Sequence, residues 1–320
     1  MKLFLKNILI FLSLPFLVWV LLFSMDYDRE FAWNFIKGDC SDYGHWIYNR
    51  IYHHPKPIDV AFIGSSVTKS SVNDYFVEHW VQKQTGLDWH FANLSFCQYG
   101  RNLNYVILKD LLKKRTVKYV VLEVRQDENF GGHPMFPYLA DTESMKGSPV
   151  FLNHAYFSDW YHAGVSRVEY WKQTLFYTKS TYEHTESEYG HAYWSQVVDS
   201  TLLEKVKQGE AELHKRQEFP IVRAINMQFP KYYIEKMSQL CKANEVELLF
   251  LYTPFYGGIE FMPKELKFYQ KFGEVFIPPP DVFINKNNWA DKTHINIHGA
   301  KPNSFWFADE FISYLKKKEK

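Results

Sequence analysis

The stretch Ile58-Asp59-Val60-Ala61-Phe62-Ile63-Gly64-Ser65-Ser66-Val67-Thr68 decides the fold. Its first six residues form a short, largely apolar and β-branched run closed by a glycine, the pattern of a strand buried in a parallel sheet. Working outward, similar runs recur at 89–94, 118–124 and 246–252, and segments with helical spacing lie at 103–114 and 232–243. Strands alternating with helices predict an α/β domain. A last helix is predicted over 301–315. Residues 128–220 interrupt the alternation, with no clear apolar strand until the pattern resumes near Ile221, so this interval reads as an insertion or cap on the core.

Upstream of the first strand, His53-His54-Pro55-Lys56-Pro57 ends an aromatic, mixed-charge stretch, 25–57, whose prolines favour extended chain and mark a boundary. It is expected to be a connector. Before it, Lys2 and Lys6 precede an apolar run from Ile8 to Phe23 broken only by Ser13 and Pro15. That run is about long enough to cross a hydrocarbon core of ~30 Å. No small-x-small cleavage site follows, so residues 1–24 read as an uncleaved signal anchor, a single transmembrane helix. Lysines before the span and acids after it place the N-terminus in the cytoplasm and the rest of the chain outside the cell membrane. The expected organisation is therefore anchor 1–24, connector 25–57, α/β domain 58–316 and a basic tail, 317–320.

The 320 residues are 46% hydrophobic and 23% charged, enough to bury a sizeable core. Lys+Arg 37 against Asp+Glu 36 leaves a net charge of +1, and no basic block precedes the tail, which argues against nucleic-acid binding. Aromatic residues make up 18% of the chain. They are dense between Phe130 and Trp194, where they suit either stacking on sugar rings or packing of a cap whose edge rests near a membrane. Cys40, Cys97 and Cys241 allow at most one bridge, and no Cys/His spacing suggests a structural metal site. His53 with His54, and His184 with Glu186 and His191, also lack ligand spacing and read as loop residues. No cofactor is expected.

Two constellations carry chemistry. A serine in the first turn after a buried strand sits at the carboxyl edge of an α/β sheet, where such folds bind ligands, and backbone N–H groups at the following helix start can receive an oxyanion beside Ser66. Taken alone, Ser65 and Ser66 read more readily as a helix cap or a turn. The second is Trp289-Ala290-Asp291-Lys292-Thr293-His294-Ile295-Asn296-Ile297-His298-Gly299-Ala300. An Asp three residues before a His can hold the imidazole by Nδ1–H and leave Nε2 to take a proton from a serine. His298 is expected to cap the last helix. Asn93-Leu94-Ser95 matches a glycosylation sequon, but it falls in a predicted buried strand.

Together these residues resemble the SGNH/GDSL hydrolase superfamily: Gly64-Ser65-Ser66 is similar to its first block, with Ser for the usual Asp, and Asp291-Lys292-Thr293-His294 to its last. The resemblance covers roughly 58–127 and 221–316. It implies a three-layer α/β/α, flavodoxin-like fold, with Ser66 as nucleophile, His294 as base and Asp291 as its orienting carboxylate. Asn93 to Asn102 is similar to the turn that supplies a second oxyanion N–H, which falls to Gly100; by its residue type alone, Gly100 is equally a turn position needing positive φ. The family's third donor, an Asn in a Gly-x-Asn-Asp block, is poorly matched, with Asn129 as the substitute. The Gly-Ser-Ser block, the anchor and the ending Asp-x-x-His-x-Asn-x-x-Gly-Ala look most like the DltD-like, membrane-anchored branch of cell-envelope O-acylation proteins. That implies a serine esterase or acyltransferase working beside a membrane-bound O-acyltransferase on a carbohydrate or polyol polymer. The weak third block leaves open a non-catalytic scaffold or glycan-binding module on the same fold.

Overall fold

The computed structural model describes every residue except 1, 26, 37, 127, 129–130, 177–188, 193, 216–218, 259–261 and 319–320. Among the described residues one sheet forms, from β1 (Val60–Ile63), β2 (Phe91–Asn93), β3 (Tyr119–Val124), β4 (Glu247–Tyr252) and β5 (Val275–Phe276). The helices, in chain order, are α1 (Lys2–Ser24), α2 (Arg29–Asn34), α3 (Ser41–Tyr52), α4 (Ser66–Ser71), α5 (Asp74–Thr85), α6 (Arg101–Lys114), α7 (Phe136–Leu139), α8 (Thr142–Lys146), α9 (Tyr156–Phe176), α10 (Ser200–Lys215), α11 (Pro220–Asn226), α12 (Gln228–Ala243), α13 (Leu266–Tyr269), α14 (Pro280–Ile284) and α15 (Ile297–Lys318).

All strand pairs are parallel, in the order β2-β1-β3-β4-β5, with Phe62 opposite Asn93 on one side and Val121 on the other. The order reverses between β1 and β3, and the crevice at the carboxyl ends of those two strands is where doubly wound sheets place ligands. Successive side chains point to opposite faces. Ala61, Ile63, Val120, Leu122, Leu248 and Phe250 pack with α3, α6 and α12, whereas Val60, Phe62, Val121, Leu249 and Leu251 pack with α5 and α15. Helices therefore cover both faces. The α6 sequence shows why: Leu103, Val106, Ile107 and Leu111 fall on one stripe at helical spacing, and Lys113 and Lys114 close the last turn, where a cation suits the helix dipole.

Two expectations need correction, and one strand is an addition to them. Residues 25–57 are not an extended connector, because α2 and α3 bury Trp33, Trp46, Ile47 and Ile51 in the main core and the Trp33 indole donates to Asp110 at 3.0 Å. The prolines govern only the end of that stretch; Trp46, Ile47 and Ile51 lie at helical spacing before them. Near Ile221 no strand resumes: Pro220 opens α11 instead, and among the described residues between β3 and β4 the regular elements are all helices. Finally, β5 was not foreseen. It is two residues long, too short for any periodicity to announce.

The bridge allowed by the cysteine count joins Cys40, just before α3, to Cys97, in the turn after β2, and Cys241 is a buried free thiol. Helix α1 is long and apolar enough to cross a membrane. Its last turns are not isolated. Phe23 is buried against the domain, and its carbonyl accepts the Thr142 hydroxyl at 3.0 Å.

Candidate active site

At the end of β1 the chain turns through Gly64 into α4. The Ser65 hydroxyl caps that helix by accepting the Val67 amide at 3.2 Å. Ser66 follows as the first helical residue, half-buried between the buried Ser65 and Val67, which aims its hydroxyl away from the core. Gly64 is required by crowding, since a Cβ there would lie 2.5 Å from Glu123 Oε2 and 2.6 Å from Thr68 Oγ1.

The other half of the site comes from 289–296. Trp289 is fully buried and its indole donates to the Phe283 carbonyl at 3.0 Å, while an antiparallel bridge to Ile295 closes the loop between them. Within that loop Asp291 Oδ1 accepts the amides of Thr293 and His294 at 2.7 and 2.8 Å, and Oδ2 lies 2.7 Å from His294 Nδ1. An ionised carboxylate only accepts, so Nδ1 carries the ring proton and Nε2 is the acceptor. His294 Nε2 lies 2.8 Å from Ser66 Oγ. Burial acts to raise the Asp291 pKa, but the hydrogen bonds from the His294 ring and from the two amides outweigh it and hold the carboxyl well below its ordinary range. The three residues expected to act together, Ser66, His294 and Asp291, thus form a continuous hydrogen-bonded chain across 228 residues of sequence.

The insertion reaches this site. The Trp194 ring meets His294 edge-on at 4.3 Å between centroids, and the Trp194 carbonyl accepts the Ile297 amide at 2.8 Å. Trp194 thereby walls the imidazole on one side. Other insertion aromatics point elsewhere: Trp160 and Tyr170 pack on Phe23, Tyr27 and Phe31 at the N-terminal end of the chain.

Gly100 is the N-cap of α6, at the carboxyl side of β2. Its φ of 177° is ordinary extended backbone, so positive φ is not the reason for glycine here. A Cβ would sit 2.4 Å from the His133 Cβ, and that close approach is the reason. Asn129 lies outside the described residues, as do His184 and Glu186. His298 is an exposed residue of the first turn of α15; the cap is Asn296, whose Oδ1 accepts the amides of His298 and Gly299. His191 Nδ1 lies 2.9 Å from Asp74 Oδ1. Asn93 is fully buried, with its side-chain amide donating to the Thr68 and Val72 carbonyls, which leaves the sequon no access. Among the described residues no cluster of three or more His, Cys, Asp or Glu is placed to hold a metal ion.

Two residues beside Ser66 were not singled out from sequence. Glu123, fully buried on β3, accepts the Ser65 amide, the Ser65 hydroxyl at 3.0 Å and the Thr68 hydroxyl at 2.8 Å. Arg125 Nε approaches it to 3.7 Å. A carboxylate inside the apolar run Tyr119–Val124 was the available signal, because buried charge is kept where it has partners. Lys69, one turn after Ser66, places its ammonium 4.8 and 4.9 Å from the Tyr43 and Trp46 rings. Burial pushes its pKa down to about 8, against the opposing charge of Asp74. No signal in the spacing marks it.

In comparisons with known proteins, no family model matches the chain and no curated protein matches it.

Proposed function

We propose that the protein is a membrane-anchored, extracytoplasmic serine esterase or O-acyltransferase of the SGNH/GDSL type, acting on acyl groups of a cell-envelope polysaccharide or teichoic-acid-like polymer. One observation carries this reading: Ser66, His294 and Asp291 are linked by 2.8 and 2.7 Å contacts in the order nucleophile, base and orienting carboxylate. Their place at the carboxyl edge of β1, the strand order and the resemblance of the Gly64-Ser65-Ser66 and Asp291-x-x-His294 blocks support the same class.

In the proposed reaction Ser66 Oγ attacks the acyl carbonyl as its proton passes to His294 Nε2, and Asp291 stabilises the imidazolium. The N–H groups of Ser66 and Gly100 receive the developing oxyanion. The tetrahedral centre collapses, the leaving oxygen or sulfur takes the proton from Nε2, and the acyl group remains on Ser66. A second hydroxyl then gives its proton to Nε2, attacks the acyl carbon and regenerates Ser66. Water in that role gives an esterase, and a sugar or polyol hydroxyl gives a transferase. The buried Cys40–Cys97 bridge suits an oxidising compartment outside the cytoplasm, with α1 as the single membrane span. A DltD-like role would put a membrane-bound O-acyltransferase beside it as acyl donor.

The test uses full-length protein in detergent micelles. Hydrolysis of a chromogenic acetyl ester, with covalent trapping of Ser66 by a serine-reactive phosphonate, is expected of the wild type and absent from Ser66→Ala. Neither turnover nor trapping, with retained glycan binding, would replace this reading by the non-catalytic scaffold.

A further inference from the structure

Helix α9, inside the insertion, has an outward face that a water-soluble domain would cover with charge. Here it carries Phe157, Tyr161, Val165, Val168, Leu175 and Phe176, all exposed, with Lys172 as the exposed charged side chain among them, its ammonium 3.4 Å from the half-buried Glu169 carboxylate at the edge of the stripe. Phe157 is 82% exposed, and Phe151, just before the helix, is 99% exposed. At 100° per residue, Phe157, Tyr161, Val168 and Leu175 project within about 60° of Gly164, and the stripe from 157 to 175 runs for about 27 Å. Contiguous apolar patches of this kind mark surfaces that meet something other than water.

What meets this one is indicated by its neighbour. The flank of α9 next to the stripe grips α1. Gly164 lies so close to Trp19 that a Cβ would sit 2.1 Å from the indole, and the Trp160 ring packs on Phe23 at 4.6 Å between centroids. The Arg167 guanidinium lies 4.2 Å from the centre of the Phe23 ring. Trp19 and Phe23 occupy the last two turns of the apolar helix, where a membrane span emerges into the headgroup region and where tryptophan is favoured. A helix fixed to α1 at that level lies at that depth. Its stripe, continuous with the α1 contact, therefore faces lipid rather than bulk water.

We infer that α9 is an interfacial helix, whose Phe157, Tyr161, Val165, Val168 and Leu175 face rests in the outer boundary of the lipid bilayer beside α1. This rests on α1 spanning the membrane. The aromatic side chains and the snorkelling reach of Lys172 suit the chemically mixed headgroup zone better than the uniformly apolar contact with a second transmembrane helix.

The test uses full-length protein reconstituted alone into phosphatidylcholine/phosphatidylglycerol vesicles and spin-labelled at single introduced cysteines: Tyr161→Cys and Val168→Cys on the stripe, Leu14→Cys on α1, and Lys242→Cys on α12. All four positions are exposed, and the one native free thiol, Cys241, is buried. The expected result is a several-fold higher ratio of oxygen to nickel-chelate collisions at 161 and 168 than at 242, approaching that at 14. Water-like labels at 161 and 168 with a lipid-like label at 14 would overturn the inference and leave the anchor standing. A water-like label at 14 would overturn both. Spin–spin broadening at 161 or 168 that grows with the protein-to-lipid ratio would show a second copy on this face, and so also overturn it.

Discussion

Glu123 on β3 accepts both the amide and the hydroxyl of Ser65, 58 residues earlier in the chain, and so ties the turn that carries Ser66 to the neighbouring strand. The position of Ser66 is thus set by the sheet, at the crevice where the strand order reverses, as well as by the short helix α4.

Removing that carboxylate leaves buried donors without a partner. Glu123→Ala is expected to cost about 1–3 kcal/mol of stability, read as a shift in the denaturant midpoint. Ester turnover is expected to fall with it, and Glu123→Gln, which keeps one of the two acceptor oxygens, to lie between wild type and Glu123→Ala. Unchanged stability in Glu123→Ala would mean that Ser65 and Thr68 find other partners.

The chain from Ser66 to Asp291 predicts a graded series. Ser66→Ala and His294→Ala are expected to abolish the proposed acyl transfer. Asp291→Asn keeps the shape but loses the charge that stabilises the imidazolium. Because the Asp291 side chain is 44% exposed, its loss in kcat is set at roughly 100- to 1,000-fold, below the roughly 10,000-fold expected of a buried triad aspartate. Single-turnover rates with the chromogenic ester measure the series.

His133 is expected to make the fold acid-labile. Its Nδ1 accepts the Met135 amide at 3.0 Å while Nε2 faces the Cys97 carbonyl at 2.7 Å, so only the neutral ring with its proton on Nε2 satisfies both. Burial lowers its pKa from 6.5 to about 4, opposed by the Cys97 contact. The unfolded chain therefore binds a proton between pH 6.5 and 4 that the folded chain does not, and stability falls as the pH drops through that window. His133→Gln is expected to flatten this part of a pH–stability curve. An equal slope in variant and wild type would remove His133 as its source.

Reduction of Cys40–Cys97, which are 57 residues apart, is expected to cost about 2–4 kcal/mol, and to loosen α3 from the turn after β2. Thermal melts with and without a reductant, each repeated on Cys40→Ser, separate the bridge from other effects of the reagent.

The sheet was legible because four of its five strands are apolar runs bounded by turn residues, and the site because Ser66, Asp291 and His294 sit in short motifs whose chemistry is local. What was not legible is what depends on distant partners. Glu123 looks like one charge in an apolar strand until Ser65 and Thr68 close on it. Lys69 has no meaning before α3 brings Tyr43 and Trp46 around it. Residues 25–57 were misread because two prolines at their end outweighed a helical spacing of tryptophan and isoleucine before them.

Between α1 and the α/β core the described residues are tied down closely. Tyr27 bonds Ser166, Arg29 and the Trp33 indole both hold Asp110, and the Cys40–Cys97 bridge follows a few residues later. With α1 in a bilayer, that rigidity sets the altitude of Ser66 above the membrane surface. On the proposed function, such a protein would have a working radius rather than a search volume: it would process what is presented to it in a thin layer, as a tool bolted to the bench does. A polymer growing outward would be modified near its membrane-proximal end or during synthesis, and not along its finished length.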